Sequence, residues 1–344
     1  MKALILSEVQ KLHASAEPLA LVELPIPNPG PNEVLIRINV CGVCHTELDE
    51  IEGRTSPSRF PMVLGHQAVG CITAIGKHVN KLQVGDRVGV AWIFSACGHC
   101  DYCAKGLENL CDQFKATGRD ANGGYAEYMT ALEAFVHKIP DELSDTQTAP
   151  LLCAGAIGYR SLRLTQMEDG YRLGLTGFGA SAHLVLKMVQ HLYPDSKVYV
   201  FARNKSERNF ALQLGAVWAG DTGDRPPDFL DAIIDTTPAW LPIVKALNTL
   251  KPGGRLVINA IRKENYDQDK LLQLDYGSHL WMEKEVKSVA NITRQDVVEF
   301  LDLAAVIPIQ PEVQEYPLEN ANRALLDMKF GSIKGAKVLR IFGD

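Results

Sequence analysis

From about Gly170 onward the chain alternates between two kinds of apolar pattern. YRLGLTGF is a strand-like run, AHLVLKMVQHL carries apolar residues at helical spacing, and KVYVFAR is strand-like again. ERNFALQLGA, DAIID, LPIVKALNTL and GRLVINA continue the alternation. Short strands joined by helices of this length form a parallel sheet through right-handed crossovers. At the first strand-to-helix junction stands GFGASA, Gly177 to Ala182. In a G-x-G-x-x-A turn, Gly177 and Gly179 allow a tight bend and close approach of backbone N–H groups to a pyrophosphate. Ala182 lets helix and sheet pack closely, and the helix N-terminus favours the anion. A glycine-rich turn alone is a weak signal, but its strand-turn-helix setting predicts a dinucleotide-binding domain with a Rossmann doubly wound parallel sheet.

The end of the next strand bears on which dinucleotide is bound. A site for NAD places an acid there for the ribose 2′-hydroxyl. Here the residues are Ala202, Arg203, Asn204 and Lys205, with no carboxylate until Glu207. An uncharged residue followed by Arg and Lys suits a 2′-phosphate, so NADP is the expected coenzyme and NAD the alternative. Two solvated basic side chains after a strand would give the same pattern.

The first 150 residues read differently. KALIL, EVLIRINV, AVGCITAIG and DRVGVAWIF are short β-like runs separated by Gly and Pro, which predicts an antiparallel, barrel-like domain with projecting loops. After about Val289 the alternation stops. TRQDVVEFLDLAAV and ENANRALLDMKFG read as helices and AKVLRIF as a last strand. The expected organisation is an α/β two-domain chain: 1–153 a first domain, 154–289 the dinucleotide-binding domain, and 290–344 a return to the first. A length of 344 residues, more than one core usually supports, agrees with two domains.

The net charge of −6 gives no electrostatic reason to expect nucleic acid or an anionic membrane as partner. No run approaches the roughly 20 apolar residues of a membrane helix, and MKALILSEVQK does not resemble an export signal. A cytoplasmic location and a small-molecule partner are expected. In that setting the eight cysteines should stay reduced, and clustered ones read as metal ligands.

One cluster is local. CGHCDYCAKGLENLC places Cys97, Cys100, Cys103 and Cys111 within fifteen residues, with Gly98 and Gly106 easing the turns. Four thiolates close a tetrahedron around one Zn²⁺ and leave no open position, so this site is structural. The neighbouring Asp101, Glu108 and Asp112 argue against a nucleic-acid zinc ribbon. Other candidates are scattered: Cys41, Cys44, His45 and Thr46 in CGVCHTELD, His66 in LGHQAVG, and Cys153 in APLLCAGAIGYRSL. Taken singly, each is as well explained by packing, and spacing does not tie them together.

The motifs CGVCHTEL, LGHQAVG, VGDRV, the four-cysteine loop, LLCAGAIGYRSL, GFGASA, LKPGGRLV and SVANITR span nearly the whole chain. In this order they resemble the zinc-dependent alcohol dehydrogenases of the medium-chain dehydrogenase/reductase superfamily. LGHQ, with FAR after the second strand, is most similar to the cinnamyl-alcohol-dehydrogenase-like branch. The resemblance implies a GroES-like, partly open β-barrel as the catalytic domain, two zinc ions per chain, and reversible alcohol oxidation to an aldehyde or ketone with NAD(P). It implies that Cys44, His66 and Cys153 hold the catalytic zinc, a Cys2His set that is the standard example for this enzyme class. Thr46 then receives the substrate proton, His45 stands near the coenzyme pyrophosphate, and Trp92 and Ile93 line the substrate pocket. A homodimer or homotetramer is implied as well. Two departures stand out: Asp49 occupies the position of a relay histidine, and Gln67 stands where many relatives have Glu. The competing expectations are a zinc-free quinone or enoyl reductase of the same superfamily, and a dinucleotide-binding zinc protein without turnover.

Overall fold

The computed structural model describes residues 1–307, 309–331 and 335–342. The chain forms two compact units: Met1–Cys153 together with Ile292–Asp344, and Ala154–Asn291.

The first unit is organised by one long strand, Glu33–Val43, whose inward residues Val34, Ile36 and Ile38 are fully buried. One edge of it pairs antiparallel with Ala68–Ile75. Its other edge pairs with Tyr128–Leu132 over Glu33 to Arg37 and then with Ala336–Arg340 over Val40 to Val43. The C-terminal strand therefore completes a sheet begun some 300 residues earlier in the sequence, beside Val313–Pro317. Arg87–Val90 and Val136–Lys138 extend the opposite side. A second, three-stranded sheet of Leu19–Glu23, Lys2–Leu6 and Met62–Val63 meets the first through the Ala3–Ala126 bridge. Together they form a partly open barrel around Leu4, Leu6, Ile36, Met62 and Tyr125. The run DRVGVAWIF, expected as one strand, is two: Arg87–Val90 and Ile93–Ser95. The last rung of the sheet pairs Val90 with Ala68, and the chain then turns away to form a small ribbon with Lys115–Ala116.

The second unit is a six-stranded, all-parallel sheet in the order Trp218–Gly220, Lys197–Phe201, Arg172–Thr176, Leu230–Asp235, Leu250–Ile258, Glu285–Ser288. Both faces of its central strands are buried, as Leu173, Leu175, Ile233, Ile234, Leu256 and Val257 show, which is why these segments read as near-continuous apolar runs. The strand order reverses between Arg172–Thr176 and Leu230–Asp235. In open α/β sheets, ligands bind beyond the carboxyl ends of the strands at such a reversal. Among the described residues, no helix is long and apolar enough to cross a membrane.

Candidate active site and metal centres

Cys44 ends the long central strand's run and precedes the short helix His45–Ile51. Its backbone N–H donates to Glu47 Oε2 at 2.8 Å, which fixes the helix start. The other Glu47 oxygen lies 2.6 Å from His66 Nδ1, with Glu47 0% and His66 1% exposed. That contact turns the opposite ring nitrogen toward the thiols. His66 Nε2 is buried and has no hydrogen-bond partner among the described residues. Cys153 enters from a π-helical turn, Leu151–Gly155, a local widening that often accompanies functional positions. The Cys44, His66 and Cys153 ligand atoms all lie within 4.8 Å of one another, and the two sulfurs are 3.8 Å apart.

This geometry fits a zinc ion. Zn–S bonds of about 2.3 Å at tetrahedral angles set two sulfurs about 3.8 Å apart. A buried, unpartnered imidazole nitrogen otherwise carries a desolvation cost, which a metal bond removes. The thiol chemistry agrees. Hydrogen bonding from Cys153, with further help from His66, holds the Cys44 thiol well below its ordinary range despite burial. Cys153 is pushed well up by its bond to the Cys44 sulfur and by burial. Burial opposes a charged His66, but the Glu47 carboxylate and the Cys44 sulfur raise it well above its usual value. Two thiols and a histidine thus compete for protons that a divalent cation would displace.

Thr46 is buried, with its hydroxyl oxygen 3.6 Å from Cys44 Sγ. His45 is exposed. Cys41 is fully buried and its thiol donates to the Gly42 carbonyl, with burial pushing it far above the usual thiol range. Asp49 is buried and its Oδ1 accepts from Arg54 Nε at 2.6 Å, while the same guanidinium also binds Glu52. Gln67 is buried against Gly42, where a Cβ would meet its side-chain oxygen at 2.3 Å. Trp92 packs on Phe114 with ring centroids 4.9 Å apart, and the Arg119 guanidinium lies over both rings. Ile93 is buried in the same unit.

The four cysteines of the local loop also converge, with all four sulfurs within 4.8 Å of one another. Cys97 Sγ lies 3.9 Å from Cys103 Sγ, and it accepts the backbone N–H of Cys100 at 3.3 Å. The backbone amides of His99 and Cys100 lower the Cys97 thiol to about 6, whereas burial raises Cys103 to about 12. Gly98 and Gly106 take positive φ values of 78° and 67° at the turns. Glu108, inside the loop, accepts from both the backbone N–H and Nε of Arg294 at 2.9 Å. It thereby ties the loop to the start of the helix Arg294–Val306.

In the second unit, Gly177–Phe178–Gly179 links Arg172–Thr176 to the helix Ala180–Leu192. Gly177 has φ +78°, Ala182 is fully buried, and no atom lies within 4 Å of where a Gly179 Cβ would stand. The turn therefore leaves open space over its amides. After Lys197–Phe201, Ala202 is buried while Arg203, Asn204 and Lys205 are exposed. The Asn204 amide donates to Glu207 Oε1, and Arg208 Nη1 donates to the carbonyls of Ala202 and Arg203, shaping the strand's end.

Two contributors escape a reading by motif: Glu47 and the Glu108–Arg294 pair. The only sequence signal for Glu47 is an acid three residues after Cys44, the spacing of a first helical turn.

Comparison with known proteins agrees with this geometry. Residues 30–141 match the alcohol dehydrogenase GroES-like domain. The chain is 43% identical over 329 residues to the probable alcohol dehydrogenase AdhA of Mycobacterium tuberculosis, covering 94% of this chain and 93% of that protein. It is 33% identical to an alcohol dehydrogenase of Geobacillus stearothermophilus, covering 99% and 100%. Among solved structures, the cinnamyl alcohol dehydrogenase SbCAD4 of Sorghum bicolor superposes with a TM-score of 0.83 at 26% identity, covering 98% and 97%.

Proposed function

The chain belongs to the zinc-dependent alcohol dehydrogenases, which interconvert an alcohol and its aldehyde or ketone with NAD(P), and we propose specific roles for its residues in that reaction. Cys44, His66 and Cys153 hold the catalytic zinc, and Cys97, Cys100, Cys103 and Cys111 hold a structural one. The observation that carries the reading is the buried Nε2 of His66, with no hydrogen-bond partner among the described residues, in a cluster whose ligand atoms, with the Cys44 and Cys153 sulfurs, all lie within 4.8 Å of one another. A zinc ion held by these three residues would supply Lewis acidity toward an alcohol or carbonyl oxygen.

The chain's own residues do the rest. Glu47 fixes the His66 ring and its tautomer. The Thr46 hydroxyl, beside Cys44, takes the substrate proton while giving its own to water, so it relays the proton and does not store it. Asp49, bound to Arg54, takes no part in passing that proton on. Gln67, buried against Gly42, brings no negative charge, so a zinc ion held here would be more electrophilic than beside a Glu. His45, exposed at the helix start, is assigned to the coenzyme pyrophosphate from its place in the motif alone. The amides around Gly177 and Gly179 cradle the pyrophosphate, with Ala182 allowing the helix its close approach. Arg203 and Lys205 favour NADP through its 2′-phosphate, with Ala202 and Asn204 shaping that end. Trp92, backed by Phe114, forms an apolar substrate wall with Ile93 beside it, suited to uncharged aldehydes of the cinnamyl-alcohol-dehydrogenase-like branch.

A second copy of the chain pairs at the strand Glu285–Ser288, giving a homodimer on which a homotetramer can be built. All four residues of that edge strand are exposed, and Trp281, Met282 and Val286 beside or within it present apolar surface. Eight unpaired cysteines suit the reducing cytoplasm.

The test is the rate of NADPH and NADH oxidation against a panel of aliphatic and aromatic aldehydes. NADPH should be preferred, and Arg203→Glu should raise its KM about tenfold or more while leaving the NADH KM nearly unchanged. Equal KM values for both coenzymes in the unmodified enzyme refute the NADP assignment, and no turnover of any substrate refutes the catalytic one.

A further inference from the structure

The segment that follows the strand Leu250–Ile258 sends a lysine back beneath the carboxyl end of the parallel sheet. The Lys263 side chain is 8% exposed, and its ammonium bonds Asp235 Oδ2, the Thr237 carbonyl at 2.7 Å and the Ala239 carbonyl at 3.1 Å. All three of its protons are thereby used. Asp235 is wholly buried, and its other oxygen accepts from Thr176 Oγ1 at 2.5 Å and Thr237 Oγ1 at 2.8 Å. The neighbouring Glu264 amide donates to the Pro238 carbonyl at 2.8 Å, while Asp267 accepts from the Trp240 and Leu241 amides. The stretch from Thr236 to Leu241 is thus held by 263–267, a segment more than twenty residues away in sequence.

Two observations place this network against the dinucleotide turn. Thr176 and Asp235 end the adjacent strands between which the sheet order reverses, so their hydrogen bond spans the floor of the crevice where such sheets bind ligands. Gly177 then rests directly on the held segment: a Cβ at that residue would lie 2.8 Å from Thr236 Oγ1 and 3.0 Å from Thr237 Cγ2. Thr236 is itself tied to the Thr176 carbonyl through both its N–H and its hydroxyl, at 3.0 Å each. The Gly177 turn thus rests on two residues held in different ways: Thr236 by the Thr176 carbonyl, and Thr237 by Lys263 and Asp235.

A buried ion pair alone says little about stability, because an apolar pair of similar volume often packs as well. What an apolar side chain could not do is hold two carbonyls of one loop while neutralising the aspartate beneath it. We propose that Lys263 is a positioning residue for the coenzyme: through Asp235, Thr237 and Ala239 it sets the pyrophosphate-binding turn in its binding shape before the dinucleotide arrives. The inference rests on GFGASA being the dinucleotide turn.

The test is the Kd of NADPH and of NADH, measured by fluorescence titration of the zinc-loaded enzyme without substrate. Lys263→Met should weaken both coenzymes about tenfold, because binding must then order the loop. Thr237→Val, which removes only one hydroxyl from the network, should weaken both about threefold. In each variant kcat at saturating coenzyme should move less than Kd does, with two zinc ions per chain retained. If Lys263→Met does not fold, Thr237→Val decides. A lowered Tm with unchanged Kd values means the network only supports the fold, and overturns the proposal. An unmodified enzyme that binds neither coenzyme refutes the dinucleotide turn itself, and the proposal with it.

Discussion

The two cysteine clusters contain the same chemistry built in opposite ways. Cys97, Cys100, Cys103 and Cys111 come from fifteen consecutive residues and meet in a loop whose geometry is set by its own turns and amides. Cys44, His66 and Cys153 are spread over 110 positions and meet only because a strand end, a turn between strands and a π-helical turn are brought together by the barrel. The first closes four thiolates on itself. The second supplies three ligands, two of them sulfur, and leaves a position for chemistry. A local cluster makes a rigid loop, whereas a dispersed one takes its precision from the fold.

The contrast is broken most directly by removing one thiol from each. Cys153→Ala should lose one zinc per chain and lower kcat/KM by about 10³-fold or more, with little change in far-UV circular dichroism. Cys97→Ser should also lose one zinc, but should lower Tm by on the order of 10 °C while leaving kcat at low temperature largely intact. Metal analysis, kinetics and thermal melts on the same preparations separate the two. Full activity in Cys153→Ala, or an unchanged melt in a zinc-depleted Cys97→Ser, would reverse the roles.

A smaller effect lies where the four-cysteine loop is anchored. His137 is buried, and burial, then the nearby Arg294, lower its imidazole to about 4 from an ordinary 6.5, with Glu108 opposing. Above pH 6.5 both folded and unfolded states hold it neutral. Below that the unfolded chain takes up a proton that the folded chain refuses, so this stabilisation is lost as pH falls from 6.5 toward about 4. The full loss is about 3 kcal/mol. His137→Leu should therefore flatten part of the acid limb of a stability–pH curve measured by denaturant unfolding. An unchanged slope between the unmodified enzyme and the variant would show that thiolate protonation at the zinc sites accounts for the whole acid limb.

The same contrast explains what was legible in the sequence. The parallel sheet could be read because its strands are buried on both faces and give unbroken apolar runs, and the local cysteine cluster because spacing alone closes it. The dispersed cluster carried no internal signal, and only the ordered set of motifs around Cys44, His66 and Cys153 joined them. Asp49, which stands where a relay histidine would, pairs with Arg54, five residues on. No periodicity announces such a pair. DRVGVAWIF read as one strand because its apolar pattern continues past Val90, where its sheet partner ends. The Lys263–Asp235 pair was likewise invisible, since both residues are ordinary until the crossovers of the sheet bring them together.

The finest test of the contrast concerns orientation. In the local loop the Cys97 and Cys111 sulfurs accept backbone amides of the loop itself, from Cys100 and Cys97, with no remote side chain between them. In the dispersed site the imidazole must be aimed, and Glu47 does this through a 2.6 Å contact to His66 Nδ1 while its other oxygen holds the Cys44 amide. Carboxylates behind a metal-ligating histidine set its tautomer and raise its basicity, and their loss weakens metal binding about 10–100-fold. Glu47→Gln keeps the volume and one acceptor oxygen but loses the charge. Competition with a chelator should then remove one zinc about 10–100-fold more readily, while the zinc of the four-cysteine loop is released as before. If both ions leave the variant at the rates seen in the unmodified enzyme, the barrel alone aims His66, and the dispersed site is as self-sufficient as the local one.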